Sequence, residues 1–248
     1  MNFTEKYDEY KALVENALVL PESPLKAAAQ YSLDAGGKRI RPVLVLAFCE
    51  AHGGDVKNAL PVAVALELLH TSTLIQDDLP CMDNDDFRRG KPSCHKAFSE
   101  SDAVLAASAM VYDAIALIND IRIIKAVCGY MRDVYDGQKL DLDGAETRLR
   151  ENLLRMYELK TCALLQASCV AGCLAAGADE NAVANASEFA LNLGLAFQLV
   201  DDILDGENYE NARDDAEKYT REALVLLEKV QNNEFLTELT KTLLNRKN

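Results

Sequence analysis

The sequence predicts an all-α fold, and three observations predict it. Apolar side chains recur every three or four residues through most of the 248 positions, which is the spacing of one helical face. Alternating, strand-like runs are scarce. All six prolines, at 21, 24, 42, 61, 80 and 92, precede residue 93, so nothing later in the chain need break a helix.

The periodicity predicts helices over residues 4–20, 24–35, 43–52 and 57–76. Gly53 and Gly54 stop the third of these, while Pro42 and Pro61 stand where a first helical turn accepts proline. Further helices are predicted over 99–118, 121–135, 148–176, 180–205 and 212–245, with Gly177, Ala178 and Asp179 separating two long ones. No linker or repeat interrupts the pattern, so residues 1–248 read as a single domain, a bundle of nine or ten helices around a central cavity. With 49% apolar and 27% charged residues, the chain can supply one large core.

Charge and cysteine usage exclude several classes of function. A net charge of −14 argues against a nucleic-acid binder, which needs a basic surplus spread over one face. Met1 to Glu9 has neither a basic start nor an apolar stretch, so no secretory signal is expected. The low-charge run Thr161 to Ala178, broken by Gln166 and Ser168, reads as a buried helix and not as a membrane anchor. Seven cysteines, an odd number without a Cys-x-x-Cys pair, point to a reducing, cytoplasmic setting. Cys169 and Cys173 lie one turn apart with no histidine nearby, and read as packing.

Two acidic clusters close long helices. In the first, Asp77, Asp78, Asp83, Asp85 and Asp86 place five carboxylates within ten residues. Leu79 precedes Pro80 and is biased away from helical dihedrals, so Asp77 and Asp78 end the helix and Asp83 returns from a loop. Two carboxylates about 5 Å apart repel by roughly 3 kcal/mol at an effective dielectric near 20, and the helix C-terminus adds to the repulsion unless a cation intervenes. The second cluster, Asp201, Asp202 and Asp205, follows an apolar run, and Asp201 and Asp205 share a face. Such hard oxygen ligands suit Mg²⁺, usually shared with substrate phosphates. Either cluster taken alone reads as a solvated helix end; the basic groups beside them change that.

Gly36-Gly37-Lys38-Arg39-Ile40-Arg41-Pro42 surrounds the start of a helix with three cations, an anion site without the glycine spacing of a nucleotide loop. Arg88, Arg89 and Lys91 follow the first acidic cluster directly. His70, Thr73 and Asp77 share one helical face, as do Gly194, Gln198, Asp201 and Asp205 on the later helix, with Ala190 and Gly194 leaving room for an apolar ligand. Lys160 and Thr161 interrupt an otherwise apolar helix between them.

Together these motifs resemble those of the trans-isoprenyl diphosphate synthases, the farnesyl and geranylgeranyl diphosphate synthase group, over nearly the whole chain. The resemblance implies an isoprenoid synthase-like bundle. It also implies a prenyltransferase that condenses isopentenyl diphosphate with dimethylallyl, geranyl or farnesyl diphosphate through Mg²⁺-assisted ionisation, condensation and elimination. Carried over by position, Asp77, Asp83 and Asp201 would hold up to three Mg²⁺ against the allylic diphosphate, with Asp78 and Asp205 in support. Arg88 and Lys160 would grip that diphosphate; Lys38, Arg41, His70 and Arg89 would match the isopentenyl diphosphate site; Thr161 and Gln198 would face the reacting carbons. A homodimer is implied as well, and the proton would leave to the released diphosphate. The small Ser72 and Thr73, one turn before Asp77, favour a twenty-carbon product over fifteen.

The chain departs from the family pattern in three places. A glycine-and-lysine segment after Asp205 and Gly206 and a longer connection near Asp120 are missing, and Gln76 stands where many relatives carry histidine. Two alternatives stay open, a non-catalytic prenyl synthase-like subunit, made plausible by the missing lysine segment, and a class I terpene cyclase, which would share the metal-triggered ionisation. The second diphosphate site of Lys38, Arg41 and Arg89 disfavours the cyclase.

Overall fold

The computed structural model describes residues 2–144, 149–206 and 209–244. Over these the chain forms α1 (Phe3–Ala17), α2 (Lys26–Leu33), α3 (Ile40–Ala51), α4 (Val56–Asp77), β1 (Phe87–Arg88), β2 (Lys91–Pro92), α5 (Cys94–Ala97), α6 (Glu100–Ala116) and α7 (Ile121–Asp143). After these come α8 (Arg150–Tyr157), a π-helical turn (Glu158–Cys162), α9 (Ala163–Ala175), α10 (Glu180–Asp205), α11 (Ala212–Leu227) and α12 (Glu234–Leu244). Side-chain caps start the helices where the sequence supplies them: Asn2 and Glu5 form a capping box, and Asp55, Ser99, Asp120 and Asp179 each accept from a backbone N–H of the following turn.

The helices sort by how much of their circumference is apolar. In α3, residues 42–49 are buried without interruption, and in α9 residues 163–173 are buried except Gln166, so both lie in the middle of the bundle. Around them, α4 packs on α3, α6 and α9, while α9 also meets α7 and α10, and α11 lies along α10. α4 is long and apolar enough to cross a membrane by length and composition, but most of it is buried inside the bundle. The main cluster of buried side chains runs from Tyr10 in α1 to Leu244 in α12.

Several elements differ from the sequence expectation, and the helix predicted over 121–135 runs on to Asp143 as α7. The predicted 148–176 helix is α8, the π turn and α9 in succession. The predicted 212–245 helix breaks between Leu227 and Glu234, where Asn232 takes a positive φ of 51° and the Asn233 side-chain amide donates to the Leu227 carbonyl, ending α11. A two-stranded hairpin, Phe87 opposite Pro92, turns through Arg89 and Gly90 at φ 52° and 77°. That turn folds the basic residues after the first acidic motif back toward the start of α3.

Candidate active site

Both acidic motifs sit at helix C-termini, the negative end of each helix dipole. α4 ends at Asp77 with Asp78 as its C-cap, and the Asp83 N–H donates to the Asp77 carbonyl at 2.9 Å, so the loop returns as its sequence predicts. Burial, reinforced by repulsion from Asp83 and Asp78 and opposed by Lys160 and Arg88, pushes the Asp77 carboxyl up to about 6. Asp83 is exposed and accepts a 3.4 Å hydrogen bond from the Gln138 amide. On α10, Asp201, Asp202 and Asp205 fill the last turn before Gly206 closes the helix in the left-handed region. Asp202 accepts from the Tyr157 hydroxyl and, at 3.1 Å, from the Gln198 amide.

The π turn stands between the two motifs. A π turn inserts one extra residue per turn, and here it carries Lys160 and Thr161. Lys160 donates to Asp141 of α7 and acts through space on Asp77, while the Thr161 hydroxyl lies 3.4 Å from the Gln198 carbonyl oxygen. Two glycines admit this turn. A Cβ on Gly137 of α7 would lie 2.3 Å from the Lys160 nitrogen, and one on Gly194 of α10 would lie 2.6 Å from the Cys162 sulfur. α7 therefore presses its backbone on that of the turn, and α10 presses on the short Cys162 side chain. Gly194 thus serves this contact and does not open space for an apolar ligand, as its sequence position suggested; Ala190 is likewise fully buried.

A second, cationic pocket lies at the start of α3. Arg89 donates to the Gly36 carbonyl, and its guanidinium would meet a Cβ on Gly37 at 3.0 Å, so glycine is required for that approach. Arg41 Nη1 lies 3.1 Å from His70 Nε2. Burial and the nearby Arg41, Arg89, Arg88 and Arg39 hold His70 well below the usual imidazole range, so the ring is neutral and its Nε2 accepts from Arg41. Burial lowers Arg41 itself to about 10, with Glu67 pulling it up and Arg89 down, and its buried Nε has no hydrogen-bond partner. Glu67 is the carboxylate that offsets these guanidiniums, and it is engaged by Arg39 at 2.6 Å. The pocket keeps an excess of positive charge and spare N–H donors, the composition of an oxyanion site.

The structure brings Arg41, His70 and Arg89 together, and places Thr161 beside Gln198 and Lys160 within the field of Asp77. Lys38 is exposed, and its ammonium makes no ion pair among the described residues. Arg39, one of the three cations of the glycine-rich segment, turns inward from a left-handed φ of 53° to clasp Glu67 and the Leu33 carbonyl, and is structural. Asp78 is also placed differently from its expected supporting role at a metal: it is 2% exposed and ion-paired with Arg88 at 2.6 Å. Ser72 is fully buried with its hydroxyl on the Leu69 carbonyl, whereas Thr73 lines a cavity of about 260 Å³ beneath Asp77. Sequence reasoning missed Gln138, Asp141 and Tyr157. The first two carried a signal, a polar pair three residues apart on one helical face directly after Gly137; Tyr157 carried none.

Among the described residues no three His, Cys, Asp or Glu side chains converge closely enough to hold a metal by themselves. Pairs of carboxylates at two helix ends fit an ion that completes its shell from water and phosphate oxygens.

A family model described as polyprenyl synthetase matches residues 22–241. The chain is 43% identical over 215 residues to the chloroplastic heterodimeric geranylgeranyl pyrophosphate synthase large subunit 1 of Arabidopsis thaliana, covering 79% of this chain and 57% of that one. It is 43% identical over 223 residues to the farnesyl diphosphate synthase of Geobacillus stearothermophilus, covering 82% and 75%. Among solved structures, the geranyltranstransferase of Thermotoga maritima superposes with a TM-score of 0.82 at 31% identity over 98% of this chain and 99% of that one. The chain thus spans little more than half the length of the plant relative. On the matched family model, the identities and the two helix-ending carboxylate motifs, this chain belongs to the polyprenyl synthetase family.

Proposed function

We propose that the protein is a short-chain trans-prenyltransferase, joining isopentenyl diphosphate to an allylic diphosphate to give farnesyl or geranylgeranyl diphosphate. The observation that carries the reading is the pairing of a carboxylate site at the ends of α4 and α10, which would take a diphosphate through magnesium, with a separate anion site of guanidiniums around His70. Two diphosphates need two such sites, and a cyclase acting on one diphosphate does not. Magnesium held by Asp77, Asp83 and Asp201, with Asp205 nearby, would neutralise charge on the departing diphosphate. Lys160 adds fixed positive charge beside Asp77, and Arg88, held by Asp78, adds more. Arg41, Arg89 and neutral His70 bind and orient the second diphosphate. The hydroxyl of Thr161 and the amide of Gln198 face the reacting carbons, while Leu79, Met82 and Val134 line an apolar space that excludes water from a carbocation. No side-chain base is assigned; the released diphosphate takes the proton.

Self-association through α6 and α7 is part of the proposal. Val104, Leu105 and Tyr112 on α6 and Ile121 and Tyr135 on α7 are all exposed, Tyr112 by 76%. A homodimer would cover them, and Tyr112→Glu would leave the protein monomeric by sedimentation velocity. A reducing, cytoplasmic setting suits the seven free cysteines.

One observation favours a second reading, a non-catalytic diphosphate-binding subunit. The short connection after Asp205 carries no family lysine, and Tyr209 within it is tied to Asp215, which also takes two 2.7 Å hydrogen bonds from Arg150. Incubation with isopentenyl diphosphate and an allylic diphosphate, with Mg²⁺ and then with chelator, separates the readings. Chain elongation only with metal supports the transferase. Binding without turnover supports the subunit, and a hydrocarbon or alcohol from one substrate supports a cyclase.

A further inference from the structure

Asp202 stands in the second acidic motif, yet the proposed reaction gives it no role. Both its oxygens are taken by donors of the protein: one accepts from the Tyr157 hydroxyl and the other, at 3.1 Å, from the Gln198 amide. A carboxylate only accepts, so Gln198 must turn its NH2 toward Asp202. Its carbonyl oxygen is left on the other side, where the Thr161 hydroxyl lies at 3.4 Å. The four side chains close a circuit between two elements. Tyr157 ends α8 and Thr161 follows in the π turn of the same segment, while Gln198 and Asp202 lie one turn apart on α10. Tyr157 is 7% exposed and packs in the small apolar cluster of Met156, Leu195, Leu199, Ala212 and Ala216. The nearby Tyr209 cannot stand in for it, because that hydroxyl is committed to Asp215.

We infer that Tyr157 is a positioning residue: through Asp202 it holds the Gln198 amide in the orientation that presents a carbonyl oxygen to the allylic cation. The inference rests on the prenyltransferase reading. When the carbon–oxygen bond of the allylic diphosphate breaks, the electron pair leaves with the diphosphate and positive charge stays on the allylic fragment. An amide oxygen fixed beside that charge stabilises it without reorganising, whereas the NH2 of a flipped amide opposes it. A glutamine with no fixed partner exchanges between the two orientations, since its oxygen and nitrogen are nearly the same shape. Asp202 removes the opposing orientation by accepting only from NH2, and Tyr157 stops Asp202 from rotating away by holding the oxygen that Gln198 does not use. Thr161 alone would not enforce the choice, because a hydroxyl accepts as readily as it donates.

The test places Tyr157→Phe, which keeps the ring in its cluster and removes only the donor, in the wild-type and Gln198→Leu backgrounds. In the wild-type background kcat is expected to fall about tenfold, the effect of one charge-assisted hydrogen bond. The KM for isopentenyl diphosphate and the Mg²⁺ concentration giving half the maximal rate should stay unchanged. In the Gln198→Leu background the same change is expected to alter kcat by less than about twofold, since no amide is left to orient. Calorimetry with two unreactive probes gives a readout free of turnover: the thiolo analogue of geranyl diphosphate, and an aza analogue carrying an ammonium at the branching carbon. Tyr157→Phe is expected to weaken the ammonium probe about tenfold relative to the thiolo probe. A wild-type kcat in Tyr157→Phe, an equal loss in both backgrounds, or a raised Mg²⁺ requirement would overturn the inference, the last because Asp202 would then serve the metal. If the wild type does not elongate, the binding ratio decides. A ratio lowered by Tyr157→Phe would reject the transferase reading and leave the positioning role standing, and an unchanged ratio would overturn the inference as well.

Discussion

Replacing Glu67 by glutamine tests the balance of the cationic pocket. Glu67 and Arg39 are 3% and 5% exposed at their side chains and meet at 2.6 Å, so the pair is held out of water. Removing one member of such a pair leaves a buried charge uncompensated, at a cost of about 3–5 kcal/mol, and the amide oxygen that glutamine retains places this variant near the lower figure. Domains of this kind are stable by only about 5–15 kcal/mol. At roughly 3 kcal/mol per molar of urea for a chain of this size, the unfolding midpoint followed by circular dichroism should fall by about 1 M. Replacing both partners together, Arg39→Met with Glu67→Leu, should recover most of that loss, because neither charge is then stranded. Inorganic pyrophosphate should stabilise the Glu67→Gln protein more than the wild type, since the guanidiniums of Arg41 and Arg89 lose the carboxylate that competes for them. A midpoint shift below about 0.3 M, or no extra pyrophosphate effect, would refute the view that Glu67, and not Glu15 at 3.7 Å from Arg39 Nε, is the main carboxylate offsetting this pocket.

Other outcomes follow from the same geometry. Asp77→Ala should lower turnover by at least about a hundredfold at saturating Mg²⁺ if its carboxylate holds the metal, measured as incorporation of isopentenyl diphosphate. In metal-free protein Asp77 retains a proton up to about pH 6 against 3.8 for the ordinary carboxyl, so the native state binds the extra proton in that window. Stability from this group is full below pH 4, is lost as pH rises through 6, and differs by about 3 kcal/mol at pH 7; Asp77→Asn should remove that slope in urea titrations across pH 4–7.5. Gly137→Ala forces a methyl to within 2.3 Å of the Lys160 nitrogen, and should cost about 1–3 kcal/mol of stability as well as displacing Lys160 and slowing turnover. A fully active, fully stable Gly137→Ala protein would contradict the backbone contact.

The acidic motifs were legible because proline, aspartate and helical period act locally: Leu79 before Pro80 placed the end of α4 correctly at Asp77 and Asp78. The cationic pocket was legible in part. Arg41, His70 and Arg89 are far apart in sequence, yet each stood in a motif or on a face pointing the same way. Which arginine would turn inward was not legible, since the choice between Arg39 and Arg41 depends on a left-handed backbone residue and on Glu67, 28 positions away. The π turn left no trace in the apolar periodicity of 148–176, because α9 is apolar around nearly its whole circumference and offers no polar face whose phase the inserted residue could shift. The role of Gly194 was misread for a related reason: a small residue on a helix face is compatible with a ligand or with a neighbouring backbone, and only the packing of α10 on Cys162 distinguishes them.

The two glycine contacts make the middle of this molecule resistant to drift. Because α7 meets the Lys160 segment main chain to main chain, and α10 meets it through the short, buried Cys162 side chain, little rotamer change is available to absorb a relative slide of the three. Any opening and closing around a substrate must therefore carry Asp141, Lys160, Thr161 and Gln198 together, with the loop bearing Asp83 free to move against them.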